Sequence, residues 1–191
     1  MAWVPREWFV LPTQTRQAYE DQPLPIGNGQ TISQPYVVAL MTDCLAPRRR
    51  DRILEVGTGS GYQTAVLAHL AGGGRVYTTE RLPDLLVEAE DRFRRLGLTN
   101  IETQLGDGGA GWPEEAPFDG VLVAAAAPSI PAPLLDQLAV GGRLVIPIGD
   151  LAEQELVIVR RTAVDRFDER HAGGVRFVPL ISSRHGFRDE R

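Results

Sequence analysis

A chain of 191 residues suits one domain with a substantial core, and its hydrophobic fraction of 43% is that of a globular protein. The formal net charge of -5 argues against a nucleic-acid partner, and no apolar run approaches the length of a membrane span. The one cysteine, Cys44, excludes an intrachain disulfide and leads us to expect a cytoplasmic protein.

The chain opens on "MAWVPREWFV", which lacks the basic-then-apolar pattern of a signal peptide. The next notable stretch is "LPIGNGQTISQP" (24–35). Its glycines, prolines and polar run read as a surface connection that anchors no core. A helix is expected over 34–45, and residues 1–50 together read as a cap laid over a ligand crevice. The basic cluster Arg48-Arg49-Arg50 reads as a solvated turn.

From Arg52 onward strand and helix signals alternate. Residues 52–57 are a buried strand, 62–70 a helix, and 72–80 a turn and second strand. Leu85, Leu86, Ala89, Phe93 and Leu96 recur at spacings of three and four, the mark of an amphipathic helix, with Gly97 as its C-cap. Further strands are expected within 100–108, 118–127, 143–149 and 155–163, a short helix within 130–142 that ends before its two glycines, and a last strand over 175–181. This alternation implies a Rossmann-like, doubly wound α/β fold. Its sheet is mostly parallel with an antiparallel edge, and ligands bind at the carboxyl ends of the strands. One domain is expected over 1–191, with a core of 51–180 and a tail of 181–191.

"LEVGTGSGYQ" places Gly57, Thr58, Gly59, Ser60 and Gly61 between a strand and a helix. The pattern is G-x-G-x-G. A dinucleotide fingerprint requires a third glycine where Tyr62 stands, and no lysine follows as in a phosphate-binding loop. Three acids, Glu55, Glu80 and Asp107, stand at the ends of three successive strands. Carboxylates repel a pyrophosphate but suit a ribose and a cation. S-adenosyl-L-methionine fits this wall.

"AYEDQPLPIGNGQTISQPYVVALM", "LEVGTGSGYQTAVLA", "GDG" with "GWPEEAPFDGVLV", "GGRLVIPIG" and "FVPL" together resemble protein-L-isoaspartate O-methyltransferases. The similarity runs from about Val4 to Leu180, and "PLPIGxGQTISQP" is its most specific part. The resemblance implies a repair enzyme that methylates the α-carboxylate of L-isoaspartyl residues in damaged peptides and proteins. S-adenosyl-L-homocysteine is then the second product. It implies Ser33 as the active-site residue, with Thr31 and Ile32 beside the cofactor. It further assigns the cofactor to Gly57–Gly61, Glu80 and Asp107 with Gly108. Gln34, Ala124 and Ala125 are assigned to the substrate. The chain departs from the family's usual pattern in two places. It begins almost at the segment matching "VPREWFV", where members usually carry a further helix. It also has Ala124 where they usually carry threonine.

The chemistry asks for little acid–base help, because a carboxylate nucleophile is already ionised at neutral pH. This fits histidines (His69, His171, His185) that form no motif, and no metal site is expected. The product ester loses methanol to the neighbouring peptide nitrogen, and the resulting succinimide opens in part to normal aspartate. Two rival readings use the same cofactor. One is a peptide-tailoring methyltransferase with a dedicated precursor aspartate, and the other a module that binds S-adenosyl-L-methionine without turnover. An RNA methyltransferase is disfavoured by charge, and a monomer is expected.

Overall fold

The computed structural model describes residues 3–183 and 185–188. A hairpin comes first, β1 (Leu24–Gly27) with β2 (Gln30–Ile32), followed by α1 (Pro35–Leu45). Next are β3 (Arg52–Val56), α2 (Tyr62–Ala71), β4 (Arg75–Glu80), α3 (Pro83–Arg95) and β5 (Ile101–Leu105). Then come β6 (Phe118–Val123), α4 (Ala132–Asp136), β7 (Leu138–Gly149), β8 (Gln154–Ala163) and β9 (Arg166–Val175).

The seven later strands form one sheet in the order β5-β4-β3-β6-β7-β8-β9. Strands β3 to β7 pair in parallel, and β8 and β9 add antiparallel. This is the expected doubly wound sheet with an antiparallel edge. The chain winds outward from β3 to β5 and returns to β6, so a crevice opens between β3 and β6 at their carboxyl ends. Central strands must bury both faces under helices. Accordingly Ile53, Leu54, Val121, Leu122, Leu144 and Val145 expose nothing. On one face Met41, Cys44 and Leu45 of α1 and Leu67, Ala68 and Ala71 of α2 pack on Ile53, Val76, Leu122 and Val145. On the other, Leu54, Val56, Tyr77 and Phe118 meet Leu134. The stripe expected on α3 buries Leu85, Leu86, Ala89 and Phe93. Gly97, at φ 68°, follows the helix, and the Leu98 amide returns to the Phe93 carbonyl at 3.0 Å.

Three expectations need correction. Helix α4 ends at Asp136, and residues 138–142, expected as the end of that helix and its closing glycines, already belong to β7. The last strand is Arg166–Val175, not 175–181, where single bridges join Ala126 to Pro179 and Ile181 to Phe187. Strand β9 is an exposed edge carrying Arg166, Asp168, Glu169 and Arg170, so it has no apolar alternation to detect. The stretch 24–35 is also more than a surface connection. Asn28 and Gly29, at φ 51° and 70°, turn a two-residue hairpin. Leu24, Ile26 and Ile32 are buried in a cluster with Phe9, Val38 and Tyr62. Helix α1 begins at Pro35, and the side chain of its N-cap, Gln34, makes no capping bond. Asp21 does that work from a distance, accepting the Tyr36 amide at 2.9 Å.

Candidate functional site

The glycine loop between β3 and α2 is held against the end of β4. The amides of Gly57 and Thr58 donate to the Thr79 carbonyl at 2.9 and 3.2 Å. The Gly59 amide donates to Glu80 Oε2 at 2.9 Å, while Glu80 Oε1 accepts the amides of Arg81 and Leu82 at 2.8 and 3.0 Å. Three backbone donors therefore fix the carboxylate that ends β4. Gly57 and Gly59, at φ 95° and 52°, hold the left-handed turns that lay the backbone along the crevice.

The crevice encloses about 840 Å³ of atom-free space, its mouth included. Its floor is the loop, from Gly57 to Ser60, with Thr79, Glu80, Gly106 and Gly108 at the strand ends. Its roof is Gln30 to Ser33, and Val178 to Ile181 close one side. Its charged lining residues are Glu80 and Arg81. Glu80 is the only lining acid among the described residues. The hydroxyl of Thr79 is buried without a hydrogen-bond partner among the described residues. A polar ligand in the crevice would find that group waiting. Tyr62 lines the cavity where a dinucleotide loop needs glycine. These residues suit an adenosyl sulfonium ligand.

A second, wider groove adjoins the first, with about 2500 Å³ of atom-free space. It runs between α1 with its N-cap, through Gln34, Tyr36, Val37 and Leu40, and the β8–β9 edge, through Glu155 and Ala172 to Val175. Thr31, Ser33, Ala124 and Val178 line both spaces. Ser33 thus stands at a junction between a narrow crevice and a wider groove.

Thr31, Ile32, Thr58 and Ser60, assigned to the cofactor, line the crevice, and Gln34, assigned to the substrate, lines the groove; Ala125, also assigned to the substrate, lines the crevice and not the groove. Three assigned residues lie elsewhere. Glu55 has no exposed surface, and its Oε2 accepts the hydroxyls of Thr64 and Thr78, the latter at 2.7 Å. Strand residues alternate faces. Leu54 and Val56 face one layer, so Glu55 is turned to α2 and away from the crevice. The Thr58 and Thr78 hydroxyls lie 2.7 Å apart, linking the loop to this buried acid. Burial pushes the Glu55 carboxyl up to about 7, against the lowering effect of the two threonine bonds.

Asp107 is the second displaced residue. Its Oδ2 accepts Ser182 Oγ at 2.9 Å, the Ser183 amide at 3.0 Å and Ser183 Oγ at 3.2 Å, and Oδ1 accepts the Gly109 amide at 2.9 Å. Burial raises its pKa, but these bonds outweigh burial and hold it below the usual carboxylate range. Asp107 therefore ties down the segment that carries Val178 to Ile181. Gly61 is the third. A Cβ there would lie 2.7 Å from the Phe93 ring, so this glycine lets α3 approach α2. Gly108 lines the crevice, and a Cβ on it would fall 2.3 Å from Val56 Cγ1.

The sequence reading did not single out Leu82, Gln63 or Val178 to Ile181 as crevice residues. The motif "FVPL" carries the signal for the last group, but its apolar residues read as a strand. Among the described residues no group of three or more His, Cys, Asp or Glu is placed to hold a metal ion, and no helix is long and apolar enough to cross a membrane.

Comparison with known proteins gives a consistent result. A model of the family described as protein-L-isoaspartate(D-aspartate) O-methyltransferase matches residues 1–185. Protein-L-isoaspartate O-methyltransferase 2 of Nitrosococcus oceani is 56% identical over 180 residues, covering 94% of this chain and 81% of the relative. The Methanoregula boonei protein-L-isoaspartate O-methyltransferase is 53% identical over 181 residues, covering 95% and 82%. A Plasmodium falciparum structure described as a protein-L-isoaspartate O-methyltransferase in complex with S-adenosyl-L-homocysteine superposes with a TM-score of 0.83. Its identity is 27%, and the match covers 95% of this chain and 88% of that one. Another protein-L-isoaspartate O-methyltransferase structure gives a TM-score of 0.81 at 28% identity, covering 92% of this chain but 57% of that chain.

Proposed function

Because the chain belongs to the protein-L-isoaspartate(D-aspartate) O-methyltransferase family, we propose that it methylates the α-carboxylate of L-isoaspartyl residues in damaged proteins. The observation that carries this reading is the junction at Ser33, where crevice and groove meet. S-adenosyl-L-methionine, when bound, supplies a methyl group already activated on a sulfonium. Gly57 to Ser60, Thr79, Glu80 and Gly108 are the residues that would hold it.

The rest falls to the chain's own groups. The wider groove accepts an extended peptide between α1 and the β8–β9 edge. The Ser33 hydroxyl donates a hydrogen bond to the acceptor carboxylate and fixes its direction. No base is required, since the acceptor is ionised at neutral pH. Orientation of this kind contributes at most roughly 7–11 kcal/mol to the barrier. Val178 to Ile181 and the hairpin cover the crevice and keep water from the reacting atoms. Gln34 and Ala124, at the groove's inner end, contact the peptide beside the isoaspartyl residue. We place the reaction in the cytoplasm, consistent with the single cysteine, Cys44, lying buried and unpaired, and take the working unit to be the monomer.

The test uses two peptides identical except for L-isoaspartate or L-aspartate at one position. Base-labile label from S-adenosyl-L-methionine on the isoaspartyl peptide alone is the expected result. Label on neither peptide, with cofactor still bound, rejects the proposal.

A further inference from the structure

Arg6 is an unusual residue for a cap segment, because it exposes no surface at all. Its Nε donates to the Ala18 carbonyl at 2.6 Å and its Nη2 to the Ser33 carbonyl at 2.7 Å. The guanidinium lies 4.8 Å from the centre of the Tyr62 ring, a residue of the crevice wall. Its Nη1 is buried with no hydrogen-bond partner among the described residues. The acids nearest in sequence form no direct ion pair with it, though the charge of Asp21 attracts it. Glu7 accepts the Tyr19 hydroxyl at 2.5 Å, and Asp21 accepts the Tyr36 amide. Burying a guanidinium without a carboxylate is unfavourable, and carbonyl contacts compensate only in part. Burial accordingly lowers its pKa, though an arginine so placed remains charged. An apolar side chain of similar volume would fill the space at less cost.

We infer that Arg6 is a positioning residue of the methyl-transfer site, holding the Ser33 backbone and supplying the buried positive charge that selects an anionic acceptor. The inference rests on the reading of Ser33 as the contact for the substrate carboxylate. Arg6 touches neither substrate nor cofactor and acts through Ser33. Its charge is shielded from solvent, so salt screens it weakly. Among the described residues Arg6 makes no direct ion pair and, of the acids, feels only the pull of Asp21, so a carboxylate brought to Ser33 adds a second negative charge for it to attract. A carboxamide of the same shape gains the groove contacts but not that attraction. The isoaspartyl α-carboxylate is thereby chosen by charge as well as by position.

A purely structural tether would affect every ligand of the groove equally, so the deciding readout is charge discrimination. Binding of an isoaspartyl peptide and of the same peptide with its α-carboxylate replaced by a carboxamide is measured on the full chain. S-adenosyl-L-homocysteine is present, and its own affinity is measured by calorimetry. We expect the native protein to favour the carboxylate by about tenfold or more. In Arg6→Gln that preference should fall to about twofold while cofactor affinity is unchanged. Arg6→Lys keeps the charge but loses the forked contact with two carbonyls. It should retain the carboxylate preference and show a lower kcat. If Arg6→Gln keeps the native preference, or weakens both peptides alike, the inference is overturned. If Arg6→Gln gives no cooperative thermal transition, Arg6→Lys decides: loss of the preference there overturns the inference, and retention with lowered kcat supports it. Native protein that binds with the expected preference but transfers no methyl group overturns the proposed function and leaves the role of Arg6 standing.

Discussion

The two walls of the site are built in different ways. The crevice floor hangs from the central sheet. Gly57 and Thr58 are tied to Thr79, and Thr58 lies above the buried Thr78 and Glu55, all of them set by parallel pairing of β3 with β4. The roof, with Ser33, comes from a local hairpin and a small satellite cluster. Long polar tethers hold it in place: Arg6 to Ser33, Asp21 to Tyr36, and Arg92 to the carbonyls of Trp8 and Ser60 at 3.1 and 3.3 Å. A floor of this kind is as stable as the whole domain, whereas a roof built on local pairing can yield by itself. The division suits a methyltransferase whose small cofactor needs a fixed cradle and whose acceptor is a larger chain.

The largest test of this contrast falls on the floor. Gly61→Ala puts a Cβ at φ 86° against the Phe93 ring. Left-handed strain and overpacking together should destabilise the protein by about 2–5 kcal/mol. Activity per folded molecule should persist, because Gly61 supports packing and not the ligand. Denaturant unfolding together with S-adenosyl-L-homocysteine binding checks this. Native stability with lost binding would return Gly61 to the ligand wall.

Glu55 is the next in size. Its folded value of about 7 lies above the ordinary carboxyl value of 4.5. Between those values the native state binds the extra proton, so stability falls as pH rises from about 4.5 to about 7 and levels off above. The interval corresponds to a loss on the order of 3 kcal/mol. Glu55→Gln should remove this decline from a series of unfolding curves against pH. An unchanged slope would place the titrating group elsewhere.

The floor was also the easier part to read. The apolar run of β3 and the glycines after it state a buried strand and a turn by composition alone. The parity of that strand was equally visible: Leu54 and Val56 flank Glu55, and neighbours in a strand face opposite ways. Taking the acid as a ligand overlooked that alternation. The hairpin carried its own signal in Asn28-Gly29 between Leu24, Ile26 and Ile32, hidden by the prolines around it. Strand β9 offered none, since an edge strand with wet faces needs no hydrophobic pattern. Arg6 is 27 residues from Ser33. No local spacing joins them, and only the folded satellite cluster brings the two together.

On the roof, Ser33→Ala removes a hydrogen bond to a charged acceptor. Such a bond contributes about 1.5–3 kcal/mol, so kcat/KM for the isoaspartyl peptide should fall roughly 10- to 100-fold. Thermal stability should barely move, because the N-cap of α1 is Gln34 and Asp21 accepts the Tyr36 amide. A large loss of melting temperature with proportionate loss of activity would instead make Ser33 a structural residue.

The smallest expected effect sharpens the boundary between the walls. Asp107 follows β5 between the floor residues Gly106 and Gly108, yet its bonds run to Ser182 and Ser183 beyond the crevice side. Asp107→Asn keeps an acceptor oxygen but removes the charge, and should cost about 1 kcal/mol. The same bonds give the native protein an acid-side dependence. Because the folded value lies below the ordinary one, the contribution is complete above the unfolded pKa and is lost as pH falls through the folded value. Release of S-adenosyl-L-homocysteine should then quicken in Asp107→Asn without change in the peptide's KM, since Val178 to Ile181 close the crevice. Stopped-flow displacement of the product measures this directly. A raised peptide KM with unaltered release would mean that the tethered segment belongs to the groove, and that the two walls are mechanically one.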